Sequence, residues 1–190
     1  VTYSNTATGT VCSTVVAAKP WRTPSCDWVT NGGGIPDGPY ALTITVIDNA
    51  GNISDPFTVS TIVDNGPPTI VFDSFVEGAG SQYQFAVGSK MYFNPAQAGG
   101  FTLNMTANDS GSGVQRVDFP ALGANWSPAV TTADTSGPNP YSMPYNWSAG
   151  AGTVLGAIVT AVDNVSNSAT TTFSVEADNT ASTGSTIAVT

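Results

Sequence analysis

One segment of this chain nearly recurs at a second, distant place, and that recurrence constrains the fold more than any other feature. Pro39 to Asn52 reads PYALTITVIDNAGN and Thr153 to Asn167 reads TVLGAIVTAVDNVSN, so Val46-Ile-Asp-Asn49 lines up with Ala161-Val-Asp-Asn164. Each copy is followed by the same order of parts. In one these are Thr58 to Val63, Asp64-Asn65 and Thr69-Ile70; in the other, Thr170 to Val175, Asp178-Asn179 and Thr186-Ile187. A recurrence that keeps this order predicts two copies of one structural plan in tandem.

The local pattern says what the plan is. Residues 41 to 47 (ALTITVI), 57 to 63 (FTVSTIV), 101 to 107 (FTLNMTA), 154 to 162 and 171 to 175 alternate small or apolar residues with polar ones. Alternation with period two gives a strand one buried face. Asn31 to Gly34, Asp48 to Asn52, Asn65 to Pro68 and Asp109 to Gly113 supply turn chemistry between them. Helix formers are scarce: Leu stands only at 42, 103, 122 and 155, and Glu only at 77 and 176. The expectation is an all-β chain of antiparallel sandwiches.

On these residues the chain resembles a known family. Residues 35 to 71, IPDGPYALTITVIDNAGNISDPFTVSTIVDNGPPTIV, are similar to the closing strands and linker of bacterial immunoglobulin-like repeats of very long surface and adhesin-like proteins. Residues 91 to 120 resemble the middle strands of the same repeat. The resemblance implies tandem immunoglobulin-like antiparallel β-sandwiches divided at 1–65, 66–179 and 180–190. The first domain would lack its opening strands, the second would be complete, and the last segment would open a further repeat, as in a window cut from a longer array. Alternatively residues 184–190, GSTIAVT, are donated to the incomplete unit of a neighbouring subunit, building a surface filament by strand addition. The function implied is structural and extracellular: a stalk, fibre or adhesin segment whose partners are neighbouring repeats, identical subunits or a surface receptor. The linkers 64–68, with Pro67-Pro68, and 178–182 are short enough to limit the angles between successive domains.

Composition removes much chemistry. The chain has no His, so no Ser-His-Asp or Cys-His relay and no imidazole-ligated metal is available. Four Lys plus Arg against 13 Asp plus Glu give a formal charge of -9, and Lys19, Arg22, Lys90 and Arg116 stand singly. That pattern offers no stripe for phosphate and argues against nucleic acid. The apolar stretch 154–162 is broken by Gly156 and Thr160 and is far short of the ~20 residues of a membrane helix, so no membrane insertion is expected. Glu77 and Glu176 lie far apart in sequence, and the chain does not read as an enzyme.

Four sets of residues remain as candidates. Cys12 and Cys26 are the only cysteines and are read as a disulfide, hence an oxidising compartment; closing a loop of about 15 residues contributes ~3 kcal/mol. Asp48, Asp64, Asp109, Asp163 and Asp178 place carboxylates in loops and are candidate calcium ligands, although Asp and Asn also cap such turns without a metal. No cofactor is otherwise required. Trp126, Tyr141, Tyr145 and Trp147 lie in a Pro/Asn/Ser-rich stretch and could form an aromatic platform for glycans, as in a carbohydrate-binding accessory module of a secreted enzyme; such rings are more often core, and burial is the favoured reading for Trp126 and Trp147. Tyr40, Phe57, Tyr92, Phe93, Phe101, Phe119 and Phe173 are expected between sheets. Asn52, Asn125, Asn146 and Asn164 head sequons that a glycosylating host would use, whereas Asn104 lies within a strand.

Overall fold

The computed structural model describes residues 1–5, 9–15, 25, 27–30 and 34–180. Among these every named regular element but one short 3-10 turn (Ser81–Tyr83) is a strand. The chain divides into two compact units: Val1–Gly66 with Ser110–Ser112, and Pro67–Asp109 with Gly113–Thr190.

The described strands of the first unit form one antiparallel sheet. Its strands are β1 (Thr2–Asn5), β2 (Gly9–Ser13), β3 (Gly38–Thr45) and β4 (Phe57–Val63), in the order β2-β1-β3-β4. Tyr40, Leu42 and Ile44 of β3 stand opposite Thr61, Val59 and Phe57 of β4, which puts them on one face of the pleat. That face is only partly covered. Val63, 4% exposed, is the one buried hydrophobic residue among those described in this unit, while Phe57 is 65% exposed. Phe57 therefore does not pack between sheets as expected. Period-two alternation orients a side chain but does not supply the layer that covers it.

The second unit is a sandwich with a full core. Its strands are β5 (Thr69–Glu77), β6 (Gln84–Val87), β7 (Lys90–Phe93), β8 (Gly99–Asn108), β9 (Val114–Phe119), β10 (Trp126–Ser127), β11 (Thr132–Asp134), β12 (Tyr141–Trp147), β13 (Val154–Asp163) and β14 (Ser168–Ala177). They form a four-stranded sheet, β10-β12-β8-β5, and a six-stranded one, β11-β9-β13-β14-β7-β6. All pairs are antiparallel except β14 with β7, where Val175 meets Met91 and Ala177 meets Phe93 in parallel register.

The alternating positions converge on one core. Phe101, Leu103 and Met105 from β8 and Tyr141, Met143, Tyr145 and Trp147 from β12 meet Val117 and Phe119 from β9, Val159 and Ala161 from β13, and Phe173 and Val175 from β14. Each large side chain removed from water contributes roughly 1.5–3 kcal/mol before entropy is counted. Gly99 shows how tight the fit is. It stands opposite Trp147, and a Cβ there would run into the indole ring.

Candidate functional site

The recurrent segments fold into two hairpin loops with the same hydrogen bonds. In the first unit Asp48 Oδ1 accepts from the Ala50 and Asn52 N–H groups, each at 2.9 Å, and Oδ2 accepts from Asn52 Nδ2 at 2.8 Å. In the second, Asp163 Oδ1 accepts from the Val165 N–H at 2.9 Å and the Asn167 N–H at 2.8 Å, and Oδ2 accepts from Asn167 Nδ2 at 2.8 Å. The backbone follows suit: the Asp48 N–H donates to the Asn52 carbonyl at 3.0 Å, and the Asp163 N–H to the Asn167 carbonyl at 3.1 Å. A left-handed residue occupies the same place in each loop, Gly51 with φ 87° and Ser166 with φ 76°. The flanking bridges also correspond, Ile47 with Ile53 and Val162 with Ser168.

All five acidic candidates act as acceptors for backbone N–H groups. Besides Asp48 and Asp163, Asp64 accepts from the Ser112 N–H at 2.8 Å, Asp109 from the Gly113 N–H at 2.6 Å, and Asp178 from the Thr180 N–H at 3.0 Å. Within the second unit Asp109 and Asp163 carry oxygens within 4.8 Å of one another, and Asp163 is fully buried. Hydrogen bonds from Asn52, side chain first, hold Asp48 below its ordinary pKa, and those from Ser112 do the same for Asp64. The arrangement is that of turn capping, in which the carboxylate replaces water for N–H groups that the ladder leaves over.

The aromatic candidates do not form a surface platform. Trp126, Tyr141, Tyr145 and Trp147 are between 0% and 5% exposed and belong to the core. The cause is strand geometry: Tyr141, Tyr145 and Trp147 sit at alternate positions of β12, and Trp126 stands opposite Trp147. The Trp126 indole N–H donates to the Gly152 carbonyl at 3.1 Å, and the Tyr145 hydroxyl to the Pro120 carbonyl at 2.7 Å; burial pushes the pKa of that hydroxyl up.

Other candidates are placed individually. Cys12 lies on β2, and no cysteine among the described residues is free; Cys26 lies outside them, as do residues 181–190. Asn52, Asn125, Asn146 and Asn164 are exposed, but Asn52 spends its amide on Asp48 and Asn164 donates to the Gly113 carbonyl at 3.0 Å. Asn104 is half-buried between Ser74 and Ser142.

One feature escaped sequence reading. A shallow concavity of about 230 Å³ is lined by Tyr83, Gln84, Phe85, Tyr92, Asn94 and Asp178, among others. Phe85 and Tyr92 are paired across β6 and β7 on the face turned away from the core, and Phe85 is 64% exposed. Tyr92 is only half-buried, so it too departs from its expected place between sheets. The signal was available: in KMYF, burial of Met91 and Phe93 turns Tyr92 outward.

No helix among the described residues is long and apolar enough to cross a membrane. Comparison of the chain with family models, curated proteins and solved structures gives no match.

Proposed function

We propose that this chain is a non-catalytic structural segment of an extracellular surface protein, a stalk, fibre or adhesin portion made of immunoglobulin-like β-sandwich units in tandem. One observation carries the reading: the capped hairpin loop occurs twice, in sheets of matching order. The order β2-β1-β3-β4 of the first unit corresponds to β11-β9-β13-β14 of the second, and each loop joins the third strand of that order to the fourth. A repeated module whose acidic groups serve its own turns is suited to spanning distance more than to transforming a substrate.

Stretching the full chain between two handles tests the reading. The expected result is a discrete unfolding step whose length gain approaches about 3.3–3.6 Å for each residue of the second unit. Continuous extension without such a step removes the stalk reading.

A second reading is a filament in which residues 184–190 of one copy pair with another copy. It is favoured by β4, whose outer edge has no partner strand among the described residues. Sedimentation of the full chain beside a version ending at Thr183 separates the two: assembly that persists without residues 184–190 rules out strand donation.

A further inference from the structure

We infer that the concavity beside β6 and β7 is a binding site for a neutral oligosaccharide, an activity beyond the structural role proposed above. A sugar ring presents two chemistries at once: an apolar C–H face and a rim of hydroxyls that both donate and accept. The concavity offers a counterpart to each. Phe85, 64% exposed, and Tyr83, 36% exposed, bring aromatic surface to a place where water covers them in the free protein. Tyr92 adds a ring on which the Lys90 ammonium already sits, 5.2 Å from its centre. Covering such rings with a flat C–H face removes apolar area from water without leaving a polar atom unpaired.

The polar fringe is set up for hydroxyls. Asn94 accepts the Ala96 N–H on its carbonyl oxygen at 2.9 Å, which leaves its NH₂ group to donate. Asp178 accepts the Thr180 N–H on Oδ1 and keeps Oδ2 for a hydroxyl donor. A sugar hydroxyl, which both donates and accepts, can meet each of these groups.

Charge selects for a neutral sugar. The nearby cation, Lys90, is paired with Glu176 at 2.7 Å, Asp178 contributes a carboxylate, and the whole chain carries -9. A uronate, sialate or sulfated chain would meet net repulsion.

The test is affinity electrophoresis of the full chain through gels containing galactomannan, xyloglucan or mixed-linkage β-glucan, followed by calorimetry with the matching hexasaccharide. The chain is expected to be retarded by at least one of these. Phe85→Ala is expected to weaken binding about tenfold or more, and Asp178→Asn to weaken it less. Phe57→Ser, which removes an equally exposed ring from the first unit, is expected to leave binding unchanged. Phe85 is outside the core, so an unchanged melting temperature will show that its variant folds. Lack of retardation in all three gels, retention of binding by Phe85→Ala, or equal loss in Phe57→Ser overturns the proposal. None of these outcomes touches the stretching experiment, so the site and the stalk reading fail separately.

Discussion

The loops Asp48–Asn52 and Asp163–Asn167 share a hydrogen-bond pattern but sit in different surroundings. Asp48 is exposed and Asp163 fully buried. Residue chemistry at fixed spacing is enough to close the turn, since an Asp four positions before an Asn caps the same N–H groups in both. What lies over the turn decides how much that closure matters to stability. In water a lost cap is replaced by solvent; in a buried setting the donors are orphaned.

Four experiments break or sharpen this contrast. The largest effect is expected from Asp163→Ala, which leaves three donors without their acceptor and lowers unfolding free energy by about 1–3 kcal/mol in denaturant titration. Asp48→Ala should cost a small fraction of that, and equal losses would show that burial does not separate the loops. Next comes the left-handed position: Ser166→Gly should stabilise by about 0.5–1 kcal/mol and Gly51→Ser destabilise by a similar amount, because only glycine adopts positive φ freely. A melting-temperature change of the same sign in both would contradict the correspondence.

The third effect is smaller and depends on pH. Hydrogen bonds from Asn52 depress the pKa of Asp48 below its ordinary value of 3.8, so its ionised form stabilises the loop fully above that value. The contribution is lost as pH falls through the lower, folded value. Observing the Asp48 carboxyl by NMR should give a midpoint below 3.8 that moves up when Asn52 is changed to Ala. A midpoint at or above 3.8 in the parent chain would break the capping account. The smallest effect is expected from a calcium chelator: with Asp48 and Asp163 engaged by the chain's own donors, the melting temperature should stay within about 1 °C. A larger fall would show that a bound metal contributes to stability.

Much of the second unit was legible in its sequence because alternation and turn residues act locally. The residues of β8 read as apolar at every second place, and the core uses those places. β12 was harder. Pro144 and the Pro/Asn/Ser-rich surroundings suggest a loop, yet Pro144 fits in a strand because β10 reaches only Trp147 and Asn146 and leaves β12 an edge at Pro144. The aromatic residues offered there as a possible platform are core for that reason. In the first unit FTVSTIV reads as well as any strand, but its burial depends on a covering layer that no local pattern encodes. The same limit applies to the concavity, whose lining comes from β6, β7 and the segment after β14, brought together only by folding.

The parallel ladder between β7 and β14 has a consequence in time. It joins Lys90 to Ser174 and Phe93 to Ala177, residues separated by most of the unit's length. Contacts of such long range must repay the entropy of a large closed loop before they reward it, which places this unit among slow folders. During synthesis the six-stranded sheet stays open until its last strand has emerged from the ribosome, and β7, with Met91 and Phe93 still uncovered on that side, waits for it.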